Sequence, residues 1–202
     1  MSSILKVDTI QDTSGNNIIN ESSDTITIGA SGDTTNIVGT LQNNGSAVAV
    51  DNTPMVSAYM SASQTVSDNA HTKIQYNTEV YDTDSAYDHS SNYRFTVPSG
   101  KAGKYLISAS CYMNGNNNDE VMLEVSIYKN GTQVERDERY GNYSTGQGSG
   151  GVQKIIRIID LSASDYIEIY GRLNVNSGTP SFYGASATDQ RYSVLNIAKM
   201  IG

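Results

Sequence analysis

The sequence predicts an all-β protein, and three observations predict it. Apolar–polar alternations of period two recur about every ten residues, turn clusters separate them, and no window of about twelve residues holds a 3.6-residue period. The clearest alternations are Tyr105-Leu106-Ile107-Ser108-Ala109-Ser110-Cys111-Tyr112 and Val121-Met122-Leu123-Glu124-Val125-Ser126-Ile127-Tyr128. Asn130-Gly131 follows the second run, a two-residue signal for a tight hairpin turn. Strands are expected over 55–62, 72–81, 93–97, 104–113, 120–129, 133–138, 152–161, 166–173 and 192–201. Many short strands at this spacing make a sandwich or jelly roll.

Composition divides the chain near residue 52. All 14 Tyr and both Phe lie from Tyr59 onward. Residues 1–52 therefore lack the side chains that bury most surface, and cannot build a compact core alone. They still alternate, in Thr25-Ile26-Thr27-Ile28 and Ala47-Val48-Ala49-Val50, with turn clusters at 12–16, 29–33 and 42–45. Two domains are expected: an extended stalk or anchor of strands and turns over 1–52, and the sandwich over 53–202. The first should gain order by packing against copies of itself or against a docking partner.

Charge and hydropathy exclude several partners. The net charge is -8, and the 13 Lys and Arg are scattered rather than striped. Affinity for nucleic acid depends on clustered cations displacing counterions, so no nucleic-acid partner is expected. The longest apolar stretch, Ile155-Ile156-Arg157-Ile158-Ile159, is far too short to span a bilayer. Residues 1–12 hold no signal-peptide core, so synthesis in a cytosol without membrane insertion is expected. Cys111 is the single cysteine, which rules out an intrachain disulfide.

No group of residues reads as a catalytic site. Asp88 and Ser90 flank His89, and His71 is the other histidine, but no Gly-x-Ser-x-Gly turn surrounds them. Cys111 lies inside an alternating strand, where a thiol packs rather than reacts. The protein is expected not to be an enzyme. Calcium is the one cofactor that the sequence suggests, because hard cations take several carboxylate oxygens from one loop. Asp82 and Asp84 in 82–88, and Asp119 and Glu120 in 116–120, would be its ligands. The first stretch departs from the EF-hand pattern, with Ala86 and Tyr87 where Asp or Asn and then Gly are needed. The simpler reading makes both stretches solvated turns.

Surface recognition has better material. The segment 135–151 combines Arg139, Tyr140, Asn142, Tyr143 and Gln147 with glycines, and 174–183 adds Gly178, Pro180 and Tyr183. Tyr among Gly, Ser and Asn is the composition of adaptable recognition loops. These loops would gather at one end of a jelly roll. Strands such as 155–159 and 166–170 also carry more apolar and aromatic residues than one buried face needs. Subunit contact is the simplest cover for the excess.

Several motifs in sequence order resemble the C1q head domain. They are Lys73-Ile74-Gln75-Tyr76-Asn77-Thr78-Glu79-Val80-Tyr81, Ala86-Tyr87-Asp88, Tyr93-Arg94-Phe95-Thr96-Val97-Pro98, Gly103-Lys104-Tyr105 and Leu161-Ser162-Ala163-Ser164-Asp165-Tyr166-Ile167. The matching positions are Tyr76, Tyr87, Phe95, Pro98, Gly103, Tyr105 and Asp165. Ser164 departs from the family's Gly, and the loop 98–103 is longer. The resemblance spans roughly 55–200 and implies a ten-stranded jelly roll that assembles as a homotrimer, some of whose members hold calcium near the threefold axis. Separately, Ser3-Ile4-Leu5-Lys6-Val7-Asp8-Thr9-Ile10 with Ser14-Gly15-Asn16 resembles the start of bacteriophage fibre proteins.

Together the two resemblances imply a trimeric virion fibre. Residues 1–52 would join it to another virion protein, and the tip would bind a host-surface glycan or protein. The alternatives are a head-fibre or capsid-decoration protein with no obligatory receptor, and a carbohydrate-binding β-sandwich module. A glycan-degrading enzyme is disfavoured, since it needs a paired-carboxylate cleft that the sequence does not suggest.

Overall fold

A computed structural model describes residues 9–11, 13, 17–22, 25–28, 32, 34–38, 41–43, 46–47, 52–115, 120–141, 150–185 and 191–200. Among the described residues there is no helix. The chain falls into two compact units, Met1–Val50 and Asp51–Gly202.

In the first unit, β1 (Thr9–Gln11), β2 (Asn17–Ser22) and β3 (Thr25–Ile28) make an antiparallel sheet, and β4 (Gln42–Asn43) pairs with β5 (Ser46–Ala47). Ile10, Ile19 and Ile28 are successive cross-strand partners. Of the alternating run at 47–50, only Ala47 lies within the described residues.

The second unit holds β6 (Met55–Tyr59), β7 (Gln64–Thr65), β8 (Thr72–Lys73), β9 (Thr78–Asp82), β10 (Tyr87–Asp88), β11 (Arg94–Thr96) and β12 (Gly103–Asn114). They are followed by β13 (Glu120–Lys129), β14 (Thr132–Tyr140), β15 (Gly151–Leu161), β16 (Tyr166–Val175), β17 (Ser181–Tyr183) and β18 (Val194–Lys199). One sheet runs β9-β6-β18-β12-β15, and β17 and then β7 continue it beyond the end of β18. The other runs β10-β11-β16-β13-β14, with β8 also on β16. All pairings are antiparallel.

Alternation explains why these strands pair face to face. Tyr105, Ile107, Ala109, Cys111 and Met113 of β12 point into the core, where they meet Leu123, Val125 and Ile127 of β13 and Ile167, Ile169 and Leu173 of β16. Phe95 packs on Tyr105 with ring centroids 5.4 Å apart. The Asn130-Gly131 turn joins β13 to β14 with φ of +52° and +78°, the double positive that this dipeptide supplies most cheaply.

The structure corrects three element boundaries. The single strand expected over 72–81 is two strands on different sheets: β8 pairs with β16, and β9 pairs with β6. Between them the chain crosses the sandwich. Ile74 donates its N–H to Ile169 O at 2.9 Å, and Asn77 Oδ1 accepts from Ser61 N at 2.9 Å on the opposite sheet. Ile74 and Tyr76 fill the core during the crossing. The expected recognition loop from 135 is strand as far as Tyr140. The connector expected over 174–183 contains β17, which extends the first sheet.

Candidate binding site

The motif residues of the second unit are structural. The buried Tyr76 donates its hydroxyl to Ser110 O at 3.1 Å, and Tyr87 donates to Tyr76 O at 3.2 Å. Burial pushes both phenols well above their ordinary value. Tyr105 donates to Lys101 O at 2.5 Å, and burial pushes it up to about 12. Pro98 O accepts from Lys101 N at 3.1 Å and closes the turn before Gly103. Gly103 has φ of +149°, and a Cβ there would sit 3.2 Å from Lys199 Cε. Asp165 accepts from Ser162 N at 2.8 Å and from Asn130 Nδ2 at 2.7 Å, and pairs with Lys129 Nζ at 2.8 Å. The Lys129 side chain, then Asn130 and the Ser162 N–H, hold its carboxyl at about 2. Ser164, before it, has φ of +70°, the region that favours glycine.

Asp82, Asp84 and Asp88 are spent on turns. Asp82 accepts from Asp84 N and Tyr87 N, and Asp84 accepts from Thr83 Oγ1 and lies 3.7 Å from Lys101 Nζ. Asp88 accepts from Ser90, Ser91 and Asn92, and these donors, Ser91 N–H foremost, hold it well below the carboxylate range. Asp82 ends an edge strand of one sheet, whereas the buried Glu120 opens β13 in the other, with Oε1 accepting from Gly115 N. Asp119 lies outside the described residues. Among those described, no three His, Cys, Asp or Glu gather as a metal group.

The histidines sit in polar pairs. His89 Nδ1 is 2.7 Å from Glu79, and His71 Nδ1 is 3.7 Å from the buried Glu124. Glu124 also accepts from Ser126 Oγ and from Gln133 Nε2 at 3.3 Å, with Arg172 3.7 Å away. The Cys111 thiol is buried and pushed up to about 12 by that burial.

Of the expected recognition residues, Arg139, Tyr140 and Tyr183 lie within the described residues. Arg139 and Tyr140 end β14; Tyr140 is 70% exposed, and Arg139 lies beside Gly151. Asn142, Tyr143 and Gln147 lie outside the described residues. Tyr183 is the one that lines a recess, and its companions there are Tyr112, Tyr192 and Asn114, around a volume of about 360 Å³. The ring centroids are 5.6 Å apart for Tyr112–Tyr183, 5.8 Å for Tyr112–Tyr192 and 6.1 Å for Tyr183–Tyr192. Interplanar angles of 53° to 68° stand each ring steeply against the other two.

Local sequence builds this recess. Tyr112 and Tyr183 are cross-strand partners, while their neighbours Cys111, Met113 and Phe182 face the core. The two tyrosines therefore share the outer face. Ser193, fully buried, accepts from Tyr112 N at 3.0 Å and donates to Tyr183 O at 2.7 Å. It ties the tyrosines together where β12 changes partner from β18 to β17. Its own carbonyl accepts from Met60 N at 3.1 Å. Gly184 follows so closely on Ala62 that a Cβ would lie 2.3 Å from its carbonyl oxygen. Sequence reasoning missed Tyr112 and Tyr192. The available signal was parity, since Tyr112 stands in phase with Ser108 and Ser110 rather than with the apolar set.

No protein-family model and no curated protein matches the chain. Solved structures do. Murine APRIL, in a crystal structure at pH 5.0, aligns with a TM-score of 0.50 and 10% identity over 72% of this chain and 98% of that one. Eiger TNF from S. frugiperda aligns at 0.49 and 13% identity, over 74% of this chain and 94% of that one. The globular domain of zebrafish complement 1qA protein aligns at 0.49 and 11%, over 72% and 95%. At such identities the likeness is one of fold alone. The two-sheet arrangement around β12 and β16 is thus an all-β sandwich of the kind seen in murine APRIL.

Proposed function

We propose that the protein is a trimeric virion fibre whose second unit is a host-attachment tip and whose first unit joins it to the particle. The observation that carries self-association is the outer side of β15. This eleven-residue strand is an edge of its sheet, and its outward Ile156 and Ile158 are each 58% exposed. A long apolar edge strand left open is an aggregation site, and natural proteins cover it. Leu106 and Ala198 lie in the same cross-strand row as Ile158 and lengthen the apolar surface. A second copy of the chain is the simplest cover, and cyclic symmetry closes the assembly at a finite size. The number three comes from the resemblance to C1q heads. The attachment role is supported by the aromatic-free first fifty residues ahead of a tyrosine-rich sandwich, and by the fibre-like opening sequence.

Light scattering behind size exclusion tests the assembly. The chain mass is 21.7 kDa, so a closed trimer elutes at about 65 kDa. A monomer at micromolar concentration would sink the fibre model. Binding of fluorescent full-length protein to host cells, saturable and displaced by unlabelled protein, tests attachment. Trimers that ignore the host's surface would leave a decoration protein.

A further inference from the structure

We infer that the recess of Tyr112, Tyr183, Tyr192 and Asn114 holds one sugar residue of an uncharged glycan. This rests on the attachment reading above and names the ligand class. The volume of about 360 Å³ falls in the range of small-ligand sites. Three steeply inclined phenol rings present apolar faces and hydroxyl rims within one small space. A pyranose has the complementary make-up, with a C–H face that packs on an aromatic ring and hydroxyls around its edge. Asn114 adds a side-chain amide to the polar rim of the recess.

Charge decides between ligand classes. No Asp, Glu, Lys, Arg or His is among the described residues lining the recess. Arg191, next to Tyr192 in sequence, has its guanidinium over the Tyr59 ring, 4.6 Å from the centroid. An aromatic pocket for a quaternary ammonium gains from a partnering carboxylate, and none is among the described residues lining this one. An anionic glycan would approach a chain of net charge -8. An uncharged sugar meets neither obstacle.

The recess is also built in advance. Ser193 fixes the backbones of Tyr112 and Tyr183 through two hydrogen bonds, and the tight passage at Gly184 locks the turn after Tyr183. Such preorganisation lowers the entropic cost of binding. Ile156, the nearer of the two isoleucines, is paired with Ser108, and Tyr112 lies four residues further along β12, about 14 Å away at strand spacing. Subunit contact at the isoleucines thus leaves this end of the sheet room for a ligand. Three weak sites on one trimer would act together on a repetitive surface.

The test uses the intact full-length protein and saturation-transfer-difference NMR. The probes are neutral methyl glycosides of glucose, galactose, mannose and N-acetylglucosamine, with choline and N-acetylneuraminic acid as charged comparisons. At least one neutral glycoside should receive saturation at its C–H protons. Affinity should fall about tenfold in Tyr183→Ala, persist in Tyr183→Phe, and be untouched in Tyr166→Leu on the other sheet. If Tyr183→Ala does not fold, Tyr192→Leu takes its place and should show the same loss. No transfer to any neutral glycoside, transfer to a charged probe alone, or full binding by the recess variant overturns the inference. So does a recess variant that turns a wild-type trimer into a folded monomer, because the tyrosines then belong to the subunit contact. Host-cell binding without any glycoside signal overturns this inference and spares the attachment reading. Glycoside binding without host-cell binding does the reverse.

Discussion

Gly171, midway along β16, shows how tightly single residues are specified in this sandwich. A Cβ at this position would lie 2.5 Å from Phe182 Cζ and 2.9 Å from Met113 Cε, so the aromatic ring occupies the space a side chain would take. Gly171→Ala should cost about 1–3 kcal/mol through overpacking, read as a lower urea midpoint with unchanged slope. An unchanged midpoint would mean that Phe182 can move aside. Asp165 makes a different statement, about pH. Its folded-state value of about 2 lies below that of an unfolded aspartate, about 3.9. Its contribution to stability is therefore complete above that unfolded value and is lost as the pH falls from roughly 4 toward 2. Asp165→Asn removes the dependence. Wild-type stability should drop more steeply than the variant's across that window, and parallel profiles would show that Lys129 and Asn130 do not act on this carboxylate. Legibility at this scale was uneven. The turn around Asp165 was readable from its motif, although Ser164 stands where glycine suits a φ of +70° better. The tyrosine recess was not, because its members come from three separate segments and only Tyr183 fell in a turn-rich stretch.

Among the elements, the long central strands were the readable ones. β12 and β13 alternate cleanly, and Asn130-Gly131 announced the hairpin with β14. The crossing at 74–77 was hidden, since Ile74 and Tyr76 keep the period of a single strand while their backbone partners change sheet. Periodicity reports which residues are buried, not which neighbour buries them. The short β7, β10 and β17 were unreadable for a related reason: two or three residues hold too little pattern to see. β15 has the most direct consequence for assembly. Ile156 and Ile158 are already solvent-exposed in a single chain, so replacing them should change monomer stability by no more than about 0.5 kcal/mol each. The double substitution Ile156→Lys, Ile158→Lys should instead move the scattering mass from the oligomer to the single chain. Retention of the oligomer would place the contact elsewhere.

For the whole molecule, class and architecture followed from composition and spacing. Strand patterns without helical period, and tyrosines confined to the chain beyond residue 58, pointed to one sandwich behind an aromatic-poor segment. Ligand identity did not follow, because it depends on side chains that meet only after two sheets have closed. One buried group makes that closure measurable. Cys111 lies on the core face of β12, opposite Gln153 of β15, and its thiol stays protonated until solvent reaches it. As the chain's single sulfhydryl, it gives a thiol-specific reagent one target whose exposure requires the central strand to leave its neighbours. Modification by an alkylating reagent, followed by mass spectrometry, should then proceed no faster than the opening of the entire sandwich, and should accelerate in step with urea-induced unfolding. Reaction within seconds in buffer would mean that the middle of the sheet breathes on its own. A slow reaction would turn the lone cysteine into a clock for how long each sandwich survives intact.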